Sequence, residues 1–87
     1  MNNAFASKLS FDDDYMWVHL IDGRRLGVPL NFFPRLQNAT PEQRLHYIFS
    51  GNGQGLHWDE LNEDISVEHL LMGHADTTNK RTIKRLA

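Results

Sequence analysis

The stretch "GLHWDELNEDISVEHLLMG", residues 55–73, places two histidines and five carboxylates within nineteen positions. With His74 just beyond it, His57, Asp59, Glu60, Glu63, Asp64 and His69 have the side chains that bind metals or move protons. A metal centre needs three or four such groups converging on one point, often with histidines at i and i+4 of a helix. His69 and His74 are five apart, which turns them off a common helical face. His57 precedes Trp58 and points away from it if both lie on a strand. Asp59 with Glu63, or Glu60 with Asp64, would serve as an acid–base pair only if one of them were buried. The simpler expectation is structural: Trp58, Leu61 and Ile65 face inward and the carboxylates face solvent. Asp64, two residues before a helix start, would then favour the helix dipole.

Other chemistries have less to stand on. There is no cysteine, so disulfides, thiolate metal sites and a cysteine nucleophile are excluded together. Ser7, Ser10, Ser50 and Ser66 lack a nucleophile-elbow context. "SGNGQG" at 50–55 is rich in glycine, yet no Lys-Ser/Thr pair follows it, so it reads as a turn rather than a phosphate cradle. No catalytic residue, metal site or cofactor is assigned from the sequence.

The elements that would position these groups are short. Eighty-seven residues with 40% apolar content and nine aromatics make one small domain. A chain of this length buries only about 60% of its unfolded surface, which leaves a thin stability margin. "YMWVHLI" at 15–21 is a β-prone run, separated from an earlier strand by the aspartates at 12–14. Asp22-Gly23 marks a hairpin. Pairing Leu20 with Leu26, Val18 with Val28 and Met16 with Leu30 puts six apolar side chains on one face, which predicts a three-residue or bulged turn over Asp22–Arg24. Pro29 ends the second strand or lies at an edge. Phe32, Phe33 and Leu36 pack as a turn on the sheet. Thr40-Pro41-Glu42-Gln43 is a dense helix start, predicting a helix over about 41–48. Ser66 caps a second helix over about 66–72, with Val67, Leu70 and Leu71 facing the body and Gly73 as its stop. The predicted class is α+β: a small, mainly antiparallel sheet built from the N-terminal hairpin and a later strand, packed with these two helices.

Charge divides the chain. Residues 1–74 carry five lysines and arginines against ten carboxylates, whereas residues 75–87 carry Lys80, Arg81, Lys84 and Arg85 against Asp76. The reading is one domain over 1–74 followed by a basic, flexible tail over 75–87. No apolar run reaches the ~20 residues that span a bilayer, and the start does not resemble a secretion signal. A cytoplasmic protein that makes no membrane contact is expected.

The motifs "DGRRLGVPL", "FPRLQNATPEQR" and "GLHWDELNEDISVEHLLMG", in this order, closely resemble the bacterial family known as domain of unknown function 2442. They cover about residues 15–73. The family usually has aspartate where this chain has Asn62. The resemblance implies a small α+β domain. It also implies relatives that carry a helix-turn-helix domain after this one, and others paired with a second short protein in toxin–antitoxin-like arrangements. It assigns no catalytic residue.

Binding is therefore the expected activity: a non-enzymatic module with a protein partner, basic enough to match an acidic body, in a two-gene system. The candidate partner surface is Tyr15, Trp17 and His19 on the second face of the first hairpin strand, with Asp59, Glu60 and Glu63. The alternative is weak, salt-sensitive nucleic-acid association through Arg24, Arg25, Lys80, Arg81, Lys84 and Arg85. A second alternative is a metal-binding or enzymatic role for the 57–74 cluster. A homo-oligomer is compatible with each.

Overall fold

The first sheet follows from alternation. Ala6–Phe11 (β1), Tyr15–Leu20 (β2) and Arg25–Pro29 (β3) pair antiparallel in the order β1-β2-β3. Met16, Val18 and Leu20 are buried, as the period of two requires. In β1 the buried residues are Ala6 and Leu9, three apart. A bulge explains the spacing: Ala6 pairs with Leu20 but Lys8 with His19, so Ser7 is the extra residue and both apolar side chains reach the core. The computed structural model that shows this arrangement describes residues 5–73. The basic tail over 75–87, with Lys80, Arg81, Lys84 and Arg85, lies outside the described residues, as does His74.

The hairpin differs in detail from the expected one. Val18 pairs with Leu26 and Met16 with Val28, two residues away from the expected partners Val28 and Leu30. A shift of two preserves every face, so hydrophobic patterning cannot distinguish the two registers. Turn geometry decides. The Gly23 N–H donates to the Leu20 carbonyl at 3.0 Å, and Gly23 takes φ 95, which glycine adopts without strain. Leu20 N–H then meets the Arg24 carbonyl at 2.8 Å, closing a three-residue loop over Ile21–Gly23. The loop has the expected length and sits one residue earlier. Pro29 both ends β3 and lies on an edge strand.

A 3-10 turn at Leu30–Phe32 leads to two four-residue helices, Pro34–Gln37 (α1) and Pro41–Arg44 (α2). Phe33 and Leu36 are buried against the sheet, as anticipated. Thr40 and Gln43 make the complete reciprocal capping box, yet α2 stops at Arg44 instead of continuing to Ile48. It buries none of its residues, so no apolar stripe rewards a second turn. Instead Arg44 donates to the carbonyls of Leu36 and Gln37, each at 2.9 Å, which ties α2 back to α1.

The single later strand expected from the sequence is in fact a second three-stranded antiparallel sheet. It consists of Ile48–Ser50 (β4), Gly55–Trp58 (β5) and Glu63–Ser66 (β6), in the order β4-β5-β6. "GNG" at 51–53 winds into a 3-10 turn between β4 and β5. Ser66 caps Val67–Leu71 (α3) as expected, and Gly73 follows it at φ 85. Val67 and Leu70 are buried, but Leu71 is 37% exposed and does not join them. Both sheets share one core, with Met16, Val18 and Leu20 on one side and Leu56, Trp58 and Ile65 on the other. Tyr47 bridges them: its hydroxyl accepts from Leu9 N–H at 3.2 Å, and its ring lies 6.4 Å from that of Trp58. The α+β class holds, with two small sheets in place of one.

Candidate functional site

Two surfaces collect the chemically capable side chains. The first is the outer face of β1-β2-β3. In-register pairing sets Lys8, His19 and Arg25 in one row across the three strands, and Ser10, Trp17 and Gly27 in the next. Lys8, Tyr15 and Arg25 are exposed, so this face is open to solvent where they stand. Trp17 is held from several sides. Its indole N–H donates to Asp12 Oδ2 at 2.9 Å, the Arg25 guanidinium lies 5.1 Å from its ring centre, and Tyr15 lies 5.6 Å away. Gly27 makes the placement possible, because a Cβ there would come within 2.7 Å of the Trp17 ring. A glycine between apolar strand residues is the signal that could have revealed this close approach.

The aspartate turn anchors one end of that face. Asp12 accepts from the backbone N–H groups of Asp14 and Tyr15 at 2.9 and 2.8 Å. The Trp17 hydrogen bond, followed by these two, holds the Asp12 carboxyl below the usual carboxylate range. His19 shares a 2.9 Å hydrogen bond with Ser10. Desolvation, with Lys8 and Arg25 adding like charge, pushes its pKa below the ordinary histidine value. The face is thus positive at the Lys8–His19–Arg25 row and negative at Asp12–Asp14. Arg24 is not part of it: its guanidinium pairs with Asp22 at 2.8 Å.

The second surface is the β5–β6 hairpin. His57 is flanked by two carboxylates, with Nδ1 2.6 Å from Asp64 and Nε2 2.7 Å from Asp59. Hydrogen bonding to Asp59, then to Asp64, raises the His57 pKa. Only the imidazolium can donate from both nitrogens at once. Asp64 therefore serves His57 across the register pair rather than the start of α3. Glu60 takes contacts from Gln43 at 3.1 Å and His46 at 3.6 Å. Among the described residues no group of three or more histidines and carboxylates is arranged to hold a metal ion.

Glu63 corrects the expectation of a solvent-facing acidic segment, since it is 4% exposed. It shares the inward side of β6 with Ile65, whose alternation with Asp64 sets the faces. Arg35 approaches Glu63 at 3.8 Å and donates to the Asn62 carbonyl at 2.6 Å. The Arg35 guanidinium is therefore engaged by the Asn62 carbonyl and Glu63 within the fold. Asn62 itself stands at φ 53, a conformation asparagine tolerates better than most residues. The structure brings Tyr15, Trp17 and His19 together on one sheet and Asp59 and Glu60 together on the other. It withdraws Glu63 from both.

Comparison with other proteins gives a consistent answer on family and fold. The family model described as protein of unknown function (DUF2442) matches residues 6–76. A protein of unknown function from Rhodospirillum rubrum, solved by crystallography, is 29% identical with a TM-score of 0.75, over 87% of this chain and 94% of that one. An uncharacterised protein from Chromobacterium violaceum, solved by solution NMR, is 24% identical with a TM-score of 0.74, over 95% of this chain and 78% of that one. Among curated proteins, none matches.

Proposed function

We propose, for a chain that belongs to the family described as protein of unknown function (DUF2442), the role of a non-enzymatic protein-binding module that docks its partner on the outer face of β1-β2-β3. The observation that carries this reading is the Tyr15–Trp17 pair: Tyr15 is 40% exposed beside a tryptophan fixed by Asp12, Arg25 and Gly27. A rigid aromatic pair loses little side-chain freedom on binding, which is why such residues concentrate binding energy. The finer form of the proposal is the small, antitoxin-like member of a two-gene pair. It is supported by the carboxylate excess of residues 1–74, which suits a basic partner, and by the resemblance of the three motifs. Asp59 and Glu60, exposed on the β5–β6 hairpin, would then give long-range attraction rather than the contact itself.

The row of Lys8, His19 and Arg25 favours a second reading, contact with an anionic strand. The aspartates at 12–14 work against it, since they would repel a phosphate backbone running along β2. One experiment separates the two: isolation of the full chain from its native host at modest salt, with mass spectrometry and nucleic-acid detection on the same eluate. A single stoichiometric protein that is lost with Tyr15→Ala is the expected result. Nucleic acid as the only companion, or an eluate that Tyr15→Ala leaves unaltered, would sink the proposal.

A further inference from the structure

The strands at sheet edges are not equally protected. An edge strand offers unpaired N–H and C=O groups to any other strand, and proteins guard such edges with lysines, prolines, bulges or charges. β1 carries the Ser7 bulge and Lys8, and Gly53 sits close against its Ala6 backbone. β3 carries Arg25 and ends in Pro29. β6 carries Glu63 and Asp64. β4 has none of these. From Leu45 to Trp58 the sequence contains no Lys, Arg, Asp, Glu or Pro, in a chain that is 23% charged. The β4–β5 register is also unbroken.

The same strand is exposed and apolar. All three of its residues are exposed, with Ile48 at 57% and Phe49 at 37%, and Leu45 just before it is 60% exposed. Among the described strands β4 pairs only with β5, so its other edge is open. We infer that β4 is a self-association edge: it pairs antiparallel with β4 of a second copy, joining two three-stranded sheets into one of six. Charge decides for a second copy over a foreign strand. Across a two-fold axis a strand meets itself, so any charge near the axis would face its like. Ile48, Phe49 and Ser50 carry no charge, so β4 avoids that cost while offering a foreign partner no charge to select it by. The pairing also buries Leu45 and Ile48, which a domain with so small a core gains from. With only three residues in the strand, the dimer dissociates readily on dilution. This surface lies on the other sheet from the Tyr15 face, so the two associations are independent.

The test is sedimentation equilibrium of the full chain from about 1 µM to about 1 mM, the range in which a small interface dissociates. The expected result is a monomer–dimer equilibrium shifted to monomer by Ile48→Lys and by Leu45→Glu, each with an unchanged far-UV circular dichroism spectrum. Ile21→Lys, at an exposed apolar position in the first hairpin loop, leaves the dimer as it was. Amide exchange at residues 48–50 slows as concentration rises. A chain that stays monomeric throughout overturns the inference, as does a dimer indifferent to both β4 variants. Concentration-independent protection of residues 48–50 would also overturn it, because residues 74–87 of the same chain would then cover the edge.

Discussion

The indole N–H of Trp58 donates to the backbone carbonyl of Arg44 at 3.0 Å, although Trp58 is fully buried. A buried polar tip needs a partner, and here that partner is the last residue of α2. Arg44 in turn holds the carbonyls of Leu36 and Gln37. One tryptophan thus connects the second sheet to both short helices. Trp58→Phe keeps an aromatic ring but removes the donor and part of the buried bulk, leaving the Arg44 carbonyl unsatisfied beside a cavity. The lost bond and the cavity together should cost about 2–4 kcal/mol, read as a lower urea midpoint with an unchanged slope. A midpoint equal to that of the wild type would mean that water replaces the bond without penalty.

Gly53 and Gly27 both admit a close approach, and they predict different costs. A Cβ at Gly53 would stand 2.5 Å from the Ala6 carbonyl oxygen, at a φ of 103 that side-chain-bearing residues rarely adopt. Backbone cannot step aside, so Gly53→Ala should destabilise by about 2 kcal/mol or more. At Gly27 the obstacle is the Trp17 ring, a side chain that can swing away. Gly27→Ala should cost less in thermal midpoint while changing the Trp17 fluorescence. The opposite ranking of the two midpoints would contradict the distances.

The His57 clasp gives a pH dependence of defined sign. Its folded pKa lies above the ordinary histidine value, so the folded state binds the proton more tightly than the unfolded chain. The stabilisation is complete below about pH 6.5 and disappears as pH rises through the raised folded value. The midpoint difference between wild type and His57→Gln is expected to be largest near pH 6 and to shrink toward pH 9. A difference that grows with pH would show that the neutral ring is the stabilising form.

Asp12 behaves in the opposite sense. The Trp17 indole and two backbone N–H groups hold its carboxyl below the usual range, so its contribution is present above the ordinary carboxylate pKa and lost as pH falls through the folded value. Trp17 emission should therefore change at low pH, with a midpoint below that of a free aspartate, while the buried Trp58 does not report it. Asp12→Asn should abolish the transition. Its survival in that variant would point to one of the neighbouring aspartates.

The sequence was most legible where the determinants are local. Thr40 and Gln43 announce a capping box because both partners lie within one turn, and Ser66 announces α3 for the same reason. The face of the first hairpin was legible too, since Met16, Val18 and Leu20 alternate. Its register was not, because moving the partner strand by two leaves every face intact and only the Gly23 turn settles it. The end of α2 was hidden for another reason. A good start signal says nothing about length, which tertiary packing controls, and nothing buried lies on α2 to prolong it. Glu63 was misplaced by its acidic neighbours, though its parity with Ile65 carried the answer. The roles of Arg35 and Arg44 depend on carbonyls 27 and 8 residues away, a distance no local pattern encodes.

Each sheet is made from consecutive strands: 6–29 for the first and 48–66 for the second. Every ladder therefore closes over a short loop, and the entropy of bringing distant segments together is met only once, when the two sheets join. Such a layout favours rapid folding for a protein built mostly of strands. It also divides the work kinetically. The hairpins can form on their own timescale, and the docking that buries Trp58 and brings Gly53 against Ala6 sets the barrier. Substitutions at the Ile21–Gly23 loop, already closed when that barrier is crossed, should then mainly slow folding, while those at the junction should divide their effect between folding and unfolding.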